Sequence, residues 1–172
     1  MPNWCENDLT VTGPTADLDR FIAGGLDFNT AIPYPDHFKQ MDDATHAWEQ
    51  AHPYGSDAYK AHWQDRPKDG YNQGGYDWCI AHWGCKWNAS TDETLQRISE
   101  EKAEGHFSTP WAPPMPVIDA WSAKYPSLTF VLKYFEGGMG FQGVYRVRKG
   151  RVLSQHEGRP LWWHTGRVGF RS

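Results

Sequence analysis

The sequence predicts an α+β fold: a ferredoxin-like βαββαβ antiparallel sheet with two packed helices, a helical and loop insertion, and a C-terminal β-meander. Three observations predict it. Residues 7–12 alternate polar and apolar, and apolar residues at helical spacing follow directly after Gly13-Pro14. The same strand-and-helix pairing recurs late in the chain, where a helical pattern over 113–125 leads into the strongest strand pattern, 128–135. Two glycine turns, 137–140 and 149–150, then separate further strand-like runs at 141–148 and 151–155.

Each element has a local reason. In 7–12 the apolar positions Leu9 and Val11 fall on one face, as a half-buried strand requires. Pro14 suits a first helical turn, Leu18, Phe21 and Ile22 form the helix's apolar stripe, and Gly24-Gly25 stops it. Residues 28–32 read as a short extended piece closed by Pro33-Tyr34-Pro35. Residues 36–75 are polar and rich in His, Asp, Tyr and Gly, and read as an insertion of one or two short helices with loops, thinly packed and mobile. Residues 76–89 hold a short helix ending near Trp83-Gly84 and then an extended segment. Residues 94–104 read as a short helix, with a strand as the alternative early in it, and 106–111 as a strand limited by Pro110. Pro113, Pro114 and Pro116 open the second long helix, which buries Val117, Ile118 and Trp121 and ends at Pro126. The chain is expected to be one domain over 1–172, with 36–75 inserted in it and 158–172 as an irregular tail. Both helices should cover one sheet face, leaving the other open or covered by the insertion.

Bulk properties narrow the function. Hydrophobic residues make up 39% of the 172, but aromatics reach 15% with ten tryptophans, so the core is built from a few large rings. A chain this rich in rings cannot hide all of them. No apolar run approaches the roughly 20 residues of a membrane helix, and the opening residues have neither the basic nor the apolar part of a signal peptide. Cys5, Cys79 and Cys85 show no disulfide-framework spacing and fit a reducing compartment, so the expected address is the cytosol. Net charge is −4, yet residues 144–172 carry seven of the 17 Lys and Arg and one of the 21 Asp and Glu. An acidic chain is a poor binder of long duplex nucleic acid. Its basic C-terminal part reads either as a guarded strand edge or as a place for a small anion.

A family resemblance rests on several motifs in order: residues 1–7 (Met-Pro-Asn-Trp-Cys-Glu-Asn), Phe28-Asn29 with Ile32-Pro33 and Pro35, and Trp83-Gly84 with Lys86-Trp87-Asn88-Ala89. Residues 107–116, Pro126, and Tyr134-Phe135-Glu136-Gly137 with Phe141 and Gly143 continue it. Together, over residues 1–143, they resemble the YubB-type ferredoxin-like family of plasmids, bacteriophages and genomic islands. The resemblance implies the fold and a mobile-element setting; the family is a domain of unknown function, so it implies no reaction. His82 and Cys85 depart from the family pattern, which has Asn and Thr there.

Candidate chemistry is sparse. Cys79, His82 and Cys85 have metal-ligating side chains at short spacing and would need a fourth ligand from Cys5, His37, His46, His52 or His62. The spacing fits no standard zinc module, and a buried thiol and a hydrogen-bonded His are the favoured reading of these residues, so no metal and no cofactor are expected. His46 and His52 are six apart rather than the four of a metalloprotease helix. No elbow, phosphate loop or dinucleotide fingerprint accompanies any nucleophile, so no catalytic residues and no enzymatic activity are expected; Asp77, Glu136 and His82 are the groups an enzyme would use. The expected binding set is Trp4, Trp78, Trp83, Trp87 and Trp111 for stacking, Asn7, Asn88 and Gln142 for base edges, and Lys133, Arg146 and Arg148 for phosphate. This set, together with the mobile-element setting and bacterial host that the resemblance implies, leads to the expectation of a non-enzymatic binding protein of a mobile element that sequesters a small nucleotide-type ligand to counter host signalling or defence. The alternatives are a protein–protein module that inhibits a host protein, and a single-stranded nucleic-acid binder or nucleotide-acting enzyme. Self-association through the edge of the last hairpin is a further expectation.

Overall fold

A computed structural model describes residues 2–64, 75–90 and 94–160. Six strands form one sheet: β1 (Trp4–Thr12), β2 (Leu95–Ser99), β3 (Lys102–Pro110), β4 (Thr129–Glu136), β5 (Phe141–Arg148) and β6 (Arg151–Gly158). Their order is β2-β3-β1-β4-β5-β6, and every neighbouring pair is antiparallel. Among the described residues the helices are α1 (Thr15–Gly24), α2 (Asp36–Ala51), α3 (Asp57–Gln64), α4 (Gly75–Trp83) and α5 (Met115–Lys124), with one 3-10 turn at Phe28–Thr30. Strands β1 to β4, with α1 and α5 as the connections, form the ferredoxin-like βαββαβ unit, and β5 and β6 extend it as a meander.

The period-2 pattern of β1 fixes the layers. Cys5, Asn7, Leu9 and Val11 are buried on the helix side, whereas Trp4, Asp8 and Thr12 are exposed on the other. A one-residue slip would exchange those faces, so the register is strongly specified. Helix α5 buries Val117, Ile118, Trp121 and Ser122. Edge-to-face rings make up much of the core. Phe21 meets Trp121, Tyr125 and Phe130 at 5.3, 5.5 and 5.1 Å between centroids, and Phe28 meets Trp83, Phe107 and Trp121 at 5.7, 6.2 and 6.0 Å. Each such pair contributes about 0.5–1.5 kcal/mol beyond its buried area.

Three expectations change. Residues 28–32 are not extended, because the Asp27 carboxylate accepts the Asn29 N–H at 2.9 Å and closes a 3-10 turn. Residues 94–104 do not form a helix; the alternative of a strand early in the segment holds, since β2 occupies 95–99 and β3 begins at Lys102, so pairing in the sheet overrides a weak helical spacing. Strand β6 runs on to Gly158, so the expected irregular tail can begin only after it, and residues 161–172 lie outside the described residues. Helices α2 and α3 fall inside 36–75 as expected. Among the described residues the far sheet face, the open face, stays mostly exposed to half-buried.

Candidate binding surface

Strand register, helix α4 and the loop after it bring four rings together at one end of the sheet. Trp4 starts β1 and pairs with Pro110 of β3, so Trp111, the next residue, lies at the same end. The Trp111 N–H donates to the Asn3 carbonyl at 2.9 Å. Trp87 arrives from the loop after α4 and packs on both, with centroids 6.0 Å from Trp4 and 6.0 Å from Trp111, at 76° and 66°. Tyr76 of α4 adds a fourth ring, 6.2 Å from Trp87. The Lys86 ammonium lies 4.5 Å from the Tyr76 centroid and 4.8 Å from that of Trp111, within cation–π range of both. Trp4 is 45% exposed and Trp111 42%. Trp111 also holds a left-handed backbone, φ 63°, which a bulky residue adopts only under strain.

Gly84 makes this arrangement possible. Its φ of 82° turns the chain out of α4, and its N–H closes the helix on the Ile80 carbonyl at 3.1 Å. A Cβ there would stand 2.9 Å from Pro116 Cδ and 3.2 Å from the Pro113 carbonyl oxygen, so the loop carrying Lys86 and Trp87 passes close over the start of α5.

The other residues of the expected set are placed elsewhere. Trp83 is buried, and its indole N–H donates to the Ile32 carbonyl. Asn7 is buried too, its amide donating to Thr109 Oγ1 and the Cys5 carbonyl. Asn88 ties the loop to the 3-10 turn: its carbonyl oxygen accepts the Phe28 N–H and its amide donates to Asp27. Burial raises the pKa of the Asp27 carboxyl, but the bonds from Asn88 and Asn29 outweigh this and hold it below its ordinary value. These three residues are committed to the fold.

Lys133, Gln142, Arg146 and Arg148 lie on the open face, spread along the strands. Register puts Gln142 on the rung of Glu6, Lys133 on that of Asp8, Arg146 on that of Thr10 and Arg148 on that of Thr12. At about 3.3 Å per residue, Arg146 is roughly 20 Å and Arg148 roughly 26 Å along the strand direction from Trp4. The open face is also divided by charge. Glu6, Asp8 and Glu104 occupy β1 and β3, with Lys102 as the cation at the far end of β3, while the four cations Lys133, Arg146, Arg148 and Arg151 occupy β4 to β6. On the acidic half His106 bridges two carboxylates, with Nδ1 2.8 Å from Asp8 and Nε2 3.1 Å from Glu6, and the Ser108 hydroxyl donates to Glu6. The bond to Asp8, with the charges of Asp8 and Glu6, raises the His106 pKa.

Metal and nucleophile chemistry find little support. Burial raises the thiols of Cys5 and Cys79 to about 12, and that of Cys85 also well above its ordinary value, so all three stay protonated and unreactive at neutral pH. His82 is exposed, its ring stacked on Trp78 at 4.3 Å and its Nδ1–H donating to the Trp78 carbonyl. Trp48 and His52 repeat that motif at the end of α2, at 4.1 Å, which identifies a Trp-x-x-x-His helix end rather than a ligand set. Among the described residues no group of three or more His, Cys, Asp or Glu is arranged to hold a metal. Glu136 is buried, and both its oxygens accept turn amides, from Gly138 and Met139. Asp77 is exposed on α4.

The comparisons with known proteins bear on the fold. Residues 82–159 match the family described as the ferredoxin-like domain in Api92-like protein. The chain also superposes on the crystal structure of the protein api92 from Yersinia pseudotuberculosis with a TM-score of 0.58. That superposition covers 93% of this chain and 99% of the other at 11% identity, a likeness of fold alone. No curated protein matches the chain. Among the described residues, no helix is long and apolar enough to cross a membrane.

Sequence reasoning found the tryptophans but missed Tyr76, Lys86 and His106. Lys86 was legible as the cation beside Trp87. His106 was legible only through the pairing of β1 with β3.

Proposed function

We propose that the protein is a non-catalytic binding module that docks an apolar, acid-rimmed protein surface through Trp4, Trp87 and Trp111, with Lys86 meeting a carboxylate of the partner. The observation that carries this is Trp111, a large indole held in a strained backbone and left 42% exposed. The fold gains little from it there, whereas interfaces draw most of their energy from such aromatic anchors. The protonated thiols and the turn-bound Glu136 support a non-catalytic role. The resemblance of residues 1–143 to a mobile-element family supports a host protein in the bacterial cytosol as the partner.

A small nucleotide-type ligand is the second reading, favoured by the cation set among stacking rings. It would draw only on Lys86 and the nearer groups Gln142 and Lys133, since Arg146 and Arg148 lie beyond the span of a mononucleotide bound at Trp4. Native mass spectrometry of the protein purified from bacterial cytosol separates the two. Docking predicts a one-to-one complex with a polypeptide that is lost in Trp111→Gly and kept in Lys133→Gln. A nucleotide-sized adduct released on denaturation would replace it with the second reading.

A further inference from the structure

A cleft of about 530 Å³ opens at the opposite end of the sheet from the rings. Its floor is one rung of the open face. Lys102 of β3 pairs with Thr12 of β1, Thr12 with Thr129 of β4, and Thr129 with Arg148 of β5. Two threonine hydroxyls therefore lie between two cations, and Ser99 and Ser127 line the walls. Gly13 keeps the rim low: its N–H donates to the Glu101 carbonyl at 3.0 Å, and a Cβ there would stand 2.7 Å from Leu128 Cδ2 and 2.9 Å from the Ser127 carbonyl oxygen. Arg148 donates to the Ser127 carbonyl at 3.4 Å, a long bond that occupies one arm of a fork with five donors.

We infer that this cleft binds a compact, multiply charged phosphate ester, held by Lys102 and Arg148 over the hydroxyls of Thr12 and Thr129. Phosphate matches the set because it accepts from a guanidinium fork, an ammonium and hydroxyls at once. The neighbouring carboxylates limit the ligand's size. Glu101 lines the cleft, Glu104 holds Lys102 at 2.5 Å, and Asp17 takes the Ser127 hydroxyl. A long polyanion leaving the cleft along β1 would cross Asp8 and Glu6, whereas a compact one stays between the two cations. The site is independent of the ring cluster, so it stands or falls apart from the docking role.

Titration of the full chain with sodium pyrophosphate, followed by amide NMR, tests the inference. Saturable shifts are expected at Thr12, Gly13, Thr129 and Arg148. Arg148→Gln and Lys102→Gln should each weaken binding about tenfold. Lys133→Gln removes the same charge from the same face, four residues along β4, and should leave affinity within about twofold. The inference is overturned by an absence of saturation below about 10 mM, or by an equal loss in Lys133→Gln, which would mean general surface charge. Tighter binding of a single-stranded oligonucleotide through the same amides would overturn the compact ligand. The amide spectrum of each variant reports its fold, and Trp111→Gly should leave the titration unchanged.

Discussion

Trp111 stands where glycine would be unstrained, with φ 63° at the end of β3. Such strain costs about 1–3 kcal/mol for a residue with a side chain. Trp111→Gly removes it while giving up the ring contact with Trp87 and the Lys86 cation. Chemical denaturation should therefore find the variant within about 1 kcal/mol of the parent. Partner affinity should fall by at least about 2 kcal/mol, the loss usual for an interface anchor. A large destabilisation would instead make Trp111 a packing residue. His106 gives a second test at this scale. Its pKa is raised in the fold, so the folded state holds the proton more tightly than the unfolded chain. The stabilisation is complete below the unfolded value near 6.5 and is lost as pH rises through the higher folded value. Because the pair is solvent-exposed, the effect is about 0.5 kcal/mol or less. The stability difference between the parent and His106→Gln should shrink as pH rises above about 6.5. A constant difference would mean that the carboxylates do not sense the imidazole's charge.

Among the elements, α4 and its exit carry the site, and Gly84 is the critical joint. Gly84→Ala places a methyl against Pro116 Cδ at 2.9 Å in a left-handed backbone. It should destabilise the fold by about 1–3 kcal/mol and disturb the Lys86–Trp87 loop, read as changed tryptophan fluorescence. Unaltered stability would show that the loop shifts freely over α5. Legibility also divides by element. β1, α1, α5 and β4 could be read because one face of each is buried throughout, which stamps a period on the sequence. β2 could not, since Leu95 is its single buried residue and four exposed positions leave no alternation to detect. The 3-10 turn was hidden for another reason. Asp27 and Asn29 carry a local signal for it, but Asn88, which ties it to the loop after α4, lies 60 residues from Phe28, and no local window contains both.

Across the whole molecule, β1 separates two unlike surfaces, rings at Trp4 and a cation-flanked cleft at Thr12. Composition announced both the tryptophans and the arginines, but a count of residues carries no register. Only the pairing of β4 with β1 and β5 places Arg148 far from Trp4. Substitutions at the two ends should act independently. The stability changes of Trp111→Gly and Arg148→Gln should add within about 0.5 kcal/mol, and a larger coupling in denaturation would mean that the ends communicate through the sheet. The central claim is that the ring end docks a protein, and hydroxyl-radical footprinting in bacterial lysate against buffer tests it most directly. The account predicts that oxidation of Trp4 and Trp111 falls in lysate while that of exposed Leu153 and Val152 does not. Equal oxidation of the two tryptophans in lysate and in buffer would contradict it.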